Sequence, residues 1–258
     1  MKKSKRHSSN MHFIIGAVLF LAMTISTSLW SLSASPHVKK NQIQVDEENK
    51  IPVAIDAISK ITEPAELNLR IKRNSRYDNR HYRPLNELPS EAQVHFISNH
   101  WWVDLPAIPA VESDAVVLGK VIDAKGYLSN DKTGAYSEFT VHVKDVLKNH
   151  ASNPLVPSNL IVAEREGAIV KTRFGNTVHM GIAGQRMPQI ERDYVFFLKY
   201  ISEAQTYHII TGYEIRKERI FPLDKDIEQF AAYKGHSKTA FLEEVRQAII
   251  NPPQTPRR

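Results

Sequence analysis

From Ala115 to Leu223 apolar and polar residues alternate with a period of two, broken at short intervals by polar clusters that contain glycine or proline. A period of two marks half-buried strands, because successive side chains leave a strand on opposite faces. The clearest stretch is AVVLGKVIDAKGYL, residues 115–128, followed by the loop-forming SNDKTG and by YSEFTVHVKDVL, residues 136–147. In the second run Phe139, Val141 and Val143 point one way and Thr140, His142 and Lys144 the other. Gly119 interrupts the first run and the alternation slips at Asp145, so each strand is expected to bend or bulge there. Further strands are expected over 160–166, over YVFFLKYI and TYHIITGYEI, and over ERIFPL, which Pro222 ends. Residues 169–174 and 177–182 predict a hairpin around Gly175-Asn176, a turn that tolerates positive φ.

Outside this region the period lengthens. TEPAELNLRIKR has Thr62 at its start and Pro64 near the first turn, which predicts a helix, although Leu67, Leu69 and Ile71 also alternate as a strand would. In LPSEAQVHFISNHWW, Ser90 and Gln93 have capping-box spacing, and Val94, Ile97 and Trp101 share a helical face. SKTAFLEEVRQAII places Ser237 at an N-cap and Phe241, Leu242, Val245, Ala248 and Ile249 on one face, after a turn or two in DKDIEQFAAYK. Helices flanking six or seven short, mostly antiparallel strands predict an α+β fold. A long, glycine-kinked first strand followed by a meander predicts a small closed barrel of the OB type. The expected organisation is a basic segment (1–12), an apolar helix (13–32), a linker (33–60) and a helical extension (61–110). The barrel (111–224), C-terminal helices (225–250) and a polar tail (251–258) follow.

The N-terminal forty residues set the expected compartment. Residues 13–32 carry no charge over twenty positions, about 30 Å of helix and one bilayer core. Lys2, Lys3, Lys5 and Arg6 precede them, which keeps that end in the cytoplasm and sends the remainder across. The segment reads either as an uncleaved signal anchor or as a signal peptide cleaved near residues 33–35, where Leu32 and Pro36 make a poor site. Both readings put residues 40–258 outside the cytoplasm, in the membrane-held or the released form.

The stretches ESDAVVLGKVIDAKGYLSNDKTGAYSEFTVHVKDVLKN, GQRMPQIERDYVFFLKY and ITGYEI resemble a family of uncharacterised exported bacterial proteins. In that family a D-x-V-V-x-G-x-V strand precedes F-x-V-x-V-x-x-V-L-K and then Y-V-x-F-L. The resemblance spans about residues 112–215. It implies an OB-like barrel and assigns no activity.

Charge changes the picture less than its total suggests. The chain carries +6, but the four basic residues before position 7 and Arg257 and Arg258 account for all of it, leaving residues 13–256 neutral. No nucleic-acid partner is therefore expected. One segment departs from neutrality: RIKRNSRYDNRHYR, residues 70–83, holds six Lys or Arg against one Asp. It reads as a solvated basic stretch or as a contact for an anionic partner or phospholipid surface. With no cysteine, disulfide scaffolds, thiol nucleophiles and Cys-ligated metals are excluded.

No recognised catalytic or phosphate-binding motif is present, and no cofactor or metal is expected. His95 and His100 have the wrong spacing for one helical face, and His142 and His179 lack a placed third ligand. Glu164 and Glu166 share one side of a strand with Arg165 on the other, read as a solvated face. Ser129, Ser137 and Thr140 have no evident base. Two clusters stand out as binding candidates. Trp101 and Trp102 adjoin in HWWVDLP as an aromatic platform, and Gln185 and Arg186 lie in a loop at a barrel rim. The expected function is thus an extracytoplasmic, membrane-anchored binding module contacting an envelope protein or glycan. The alternative is an envelope-associated hydrolase of unrecognised class.

Overall fold

A computed structural model describes residues 51–79, 81–88, 94–97 and 101–251. The apolar segment 13–32, the capping-box residues Ser90 and Gln93, His100 and the tail from 252 onward lie outside the described residues. Among the described residues no helix is long and apolar enough to cross a membrane.

The alternating region forms five strands that close on themselves. They are β3 (Ala115–Leu128), β4 (Ala135–Lys148), β5 (Leu160–Lys171), β7 (Asp193–Ile201) and β8 (Thr206–Arg216), with β1 (Ala54–Ile55), β2 (Val94–Ile97), β6 (Thr177–Ile182) and β9 (Arg219–Pro222) added around them. Around the barrel the order is β3-β4-β5-β8-β7 and back to β3. All these pairings are antiparallel except β5–β8, which closes the ring through Ala163↔Tyr207 and Glu164↔His208. The architecture is α+β, a closed five-stranded mixed barrel with a few helices.

Alternation decides what fills the barrel. Phe139, Val141 and Val143 of β4 point inward and are fully buried with Val117, Val121, Phe196 and Ile209. The register slips that Gly119 and Asp145 predicted occur where Gly119 meets Val143 and Val117 meets Val146. A Cβ at Gly119 would stand 2.5 Å from the Val141 side chain, so the strands approach too closely there for any larger residue. A second core lies outside the barrel. Helices α2 (Glu228–Ala231) and α3 (Lys238–Ile250) place Phe230, Phe241 and Val245 against Val116, Val195, Phe197 and Tyr213, the outward side of β3, β7 and β8.

Three expectations are corrected. Residues 94–97 are not helical: Val94–Ile97 forms β2, parallel to β6 with Val94 opposite His179. The run Val-His-Phe-Ile is rich in β-formers, and the free edge of β6 supplies backbone partners that outweigh the capping signal. Residues 160–166 and 169–174 are not two strands. β5 is continuous and turns at Gly167, whose φ of +119° and tight approach to the Met180 carbonyl require glycine. Its first half pairs with β4 and its second with β6. Finally, the segment read as linker enters the fold early, since Ala54 and Ile55 pair with Gly126 and Tyr127 of β3.

Candidate functional site

The outward side of β4 and β5 carries a row of ionisable groups. Lys125 of β3 stands opposite Glu138 of β4, Glu138 opposite Glu164 of β5, and Glu164 opposite His208 of β8. The next row is Tyr127, Tyr136 and Glu166. Two carboxylates directly across a ladder repel, so this face needs cations.

They come from helix α1 (Pro64–Ser75), which starts where Pro64 takes the first helical position. Proline loses nothing there, because the first amides of a helix have no intrahelical partner. Arg70, Arg73 and Arg76 follow at intervals of three. Three helical residues rise about 4.5 Å, close to the roughly 4.8 Å between strands, so arginines at this spacing reach neighbouring strands: Arg70 and Arg73 meet β4 and Arg76 meets β5. Arg70 is bidentate to Glu138, at 2.8 and 3.1 Å, and its guanidinium lies 3.6 Å above the Tyr127 ring. Arg73 shares Glu138, with its shorter contact at 3.3 Å, and donates from Nε to the Ala204 carbonyl at 2.9 Å. Arg76 pairs with Oε1 of Glu164. Tyr136 donates to Asn74 and accepts from Arg70, both at 2.8 Å, while its ring stacks on Tyr77 with centroids 4.3 Å apart. Loops 129–134 and 202–205 flank the helix. Asn130 donates to the Ile71 carbonyl at 3.0 Å, and the Gln205 carbonyl accepts from Arg73 at 3.3 Å.

The segment 70–83 is therefore not a uniformly solvated basic stretch, because Arg70, Arg73 and Asn74 are buried. Nor is the Glu164–Glu166 side of β5 a solvated face, since Glu164 is 0% exposed. Tertiary packing of α1 overrides both expectations. The polar satisfaction is incomplete, however. Oε2 of Glu164 and Nδ1 of His208 are buried without a hydrogen-bond partner.

Burial works against the Arg70 charge, and the Glu138 carboxylate more than offsets it, holding the pKa above its ordinary value. Burial alone raises the Glu166 carboxyl. Burial, helped by Arg165 and Arg76, pushes His208 down from 6.5 to about 4. Unfolded His208 protonates near 6.5 and folded His208 near 4. Its contribution to stability is therefore complete above pH 6.5 and is lost as the pH falls through that window, in total on the order of 3 kcal/mol. Glu166 acts in the opposite sense, because its raised folded pKa favours the folded state as pH falls. Subtracting the stability–pH curve of His208→Gln from that of the wild type isolates the histidine. The wild type is expected to lose more between pH 7 and 4, and parallel curves would mean that His208 is hydrated.

The four residues singled out from sequence come together elsewhere. Trp101 stacks on Phe230 at 6.0 Å, meets Trp102 edge-on at 5.8 Å and donates from Nε1 to the Ala183 carbonyl at 3.3 Å. Both indoles are half-buried at the margin of the outer core. Gln185 and Arg186 follow in the same loop, with the Arg186 side chain held by Asp226 at 2.7 Å. Two of them reach a fully buried ion pair, Arg165–Asp224: the Trp101 ring lies 5.6 Å from the guanidinium, and the Arg186 backbone bonds to both partners. His142 and His179 are kept apart, opposite Leu160 and Ile169, nine residues apart on β5 and on either side of its turn at Gly167. Among the described residues no three His, Asp or Glu side chains converge to hold a metal ion.

Sequence reasoning missed Glu138, Tyr136, His208 and the inward role of the arginines. The available signal was the spacing of Arg70, Arg73 and Arg76 on a helix whose apolar residues make no continuous stripe.

No protein-family model matches the chain, and neither a curated protein nor a solved structure matches it significantly.

Proposed function

We propose that the barrel is of the OB type and that the chain is a binding module, held at a membrane by residues 13–32 and displayed outside the cytoplasm. Its ligand is an envelope protein. The topology supports the first part. With β3, β4, β5, β7 and β8 taken as strands one to five, the order is 1-2-3-5-4-1 with the third and fifth parallel. Barrels of this kind bind on the outward face of strands two and three, between the loops that join strands one to two and four to five. Those places are the β4–β5 face and loops 129–134 and 202–205. The observation that carries the function is that this face bears Glu138, Glu164 and Glu166 and takes up arginines from α1. A carboxylate face repels a polyanion and attracts cationic side chains, which favours a protein over a nucleic acid or a neutral glycan.

The test is site-specific photocrosslinking of the full-length protein in its native membrane, with the probe at Asn130 or Gln205 on the flanking loops and at Glu243 on α3 as control. A reproducible adduct is expected at the loops and not at Glu243. Equal labelling at all three, or crosslinking only to cytoplasmic proteins, would overturn the reading.

A further inference from the structure

Helix α1 docks in a manner opposite to α3. Helix α3 turns Phe241 and Val245 into a core, as an amphipathic helix does. Helix α1 buries Arg70, Arg73 and Asn74 and leaves Ile71 39% exposed. Apolar burial is a strong and salt-insensitive hold. Buried ion pairs surrender most of their Coulombic gain to desolvation, so α1 is held by contacts that are specific in geometry and modest in net strength.

The match between helix and face is also incomplete. Two arginines crowd onto Glu138, while Glu164 receives one. Oε2 of Glu164 and Nδ1 of His208 remain buried and unpartnered. A buried polar group left unmet is costly. A segment that spreads its guanidinium groups more evenly over Glu138, Glu164 and His208 would recover that free energy.

The ends of the strap are also fastened by apolar and aromatic contacts. Before α1, Ala57 and Ile61 join a cluster with Tyr127 and Tyr136. After it, Tyr77 stacks on Tyr136, and its carbonyl lies so close to Gly134 that a Cβ there would stand 2.1 Å away.

We propose that α1 is a built-in, replaceable occupant of the β4–β5 face. The external ligand of that face is a helical segment of a partner protein presenting arginines at intervals of three. The proposal rests on reading this face as the binding surface. Tethered at both ends, α1 competes at an effective concentration of about a millimolar, so a free ligand engages only if it fits better or if α1 is removed.

The test uses the full-length protein in detergent and a fluorescent peptide of its own residues 62–78 as probe. The peptide is expected to bind the R70S/R73S/R76S variant at least about ten-fold more tightly than the wild type. Adding Glu138→Gln and Glu164→Gln to that variant should abolish binding. Equal affinity for the variant and the wild type, or indifference to the two glutamates, would overturn the proposal. If the triple variant does not fold, amide exchange of Glu138→Gln compared with the wild type decides, since that substitution removes the charge that Arg70 and Arg73 share. The amides of 68–75 should then exchange at least about ten times faster while those of β4 and β5 hold; loss of protection together, or in neither, would sink the idea. Loop adducts in native membrane with no peptide binding would remove the arginine ligand and leave the binding module standing. Peptide binding without loop adducts would do the reverse.

Discussion

Asp224→Ala is expected to lower the unfolding free energy by about 3–5 kcal/mol, the largest effect of any single polar substitution considered. Both side chains of the Arg165–Asp224 pair are 0% exposed. The guanidinium donates to both oxygens of Asp224, at 2.8 and 2.7 Å, and to the carbonyls of Ile210 and Arg186. Asp224 also accepts from Thr211 Oγ1 at 2.8 Å and from the Arg186 amide at 2.9 Å. One ion pair thus joins β5, β8, the loop after β6 and the segment after β9. Removing the carboxylate strands a guanidinium inside the protein. Urea unfolding followed by tryptophan fluorescence measures this directly, because Trp101 lies over Arg165. The double variant Arg165→Met/Asp224→Leu is expected to recover most of the loss, since it removes the desolvation penalty together with the charges. A loss under about 1 kcal/mol in Asp224→Ala would show that water reaches the pair.

Glu138→Ala removes a carboxylate shared by two buried arginines, yet its global cost is expected to stay under about 2 kcal/mol. The difference from Asp224 is escape. Arg70 and Arg73 sit on a helix at the surface and can return to water by lifting α1, so the penalty is limited by the docking free energy of the helix. The large effect is local. Amide exchange of residues 67–75 should accelerate by about twenty-fold, corresponding to roughly 1.8 kcal/mol of lost local protection. The interior amides of β4, which close the barrel around Phe139 and Val141, should change little. Hydrogen exchange resolved by segment checks both parts. A uniform acceleration across α1 and β4 would mean that the helix and the barrel unfold as one unit.

What the sequence by itself determined was every element whose environment is written into its neighbours. Alternation in 115–128 and 136–147 specified β3 and β4 with their inward residues, because a strand buried on one side must place apolar groups at every second position. Pro64 marked the start of α1, and the Phe241–Val245 face marked α3, both within one helical turn of local information. The neutrality of residues 13–256 was likewise arithmetic on the chain.

Only the tertiary structure decided where the charges went. Arg70 and Glu138 are 68 residues apart in sequence, and Arg165 and Asp224 are 59 apart. An isolated arginine or glutamate looks the same whether water or a counterion awaits it. Glu164 and the basic stretch consequently read as solvated until α1 was laid across β4 and β5. Residues 94–97 became a strand because the edge of β6 was open to them, which no capping pattern records. Closure of the barrel turned on the parallel contact of β5 with β8 at only two positions, a choice made by the twist and bending of strands already formed. Local periodicity reports which side of an element is buried. It does not report against what.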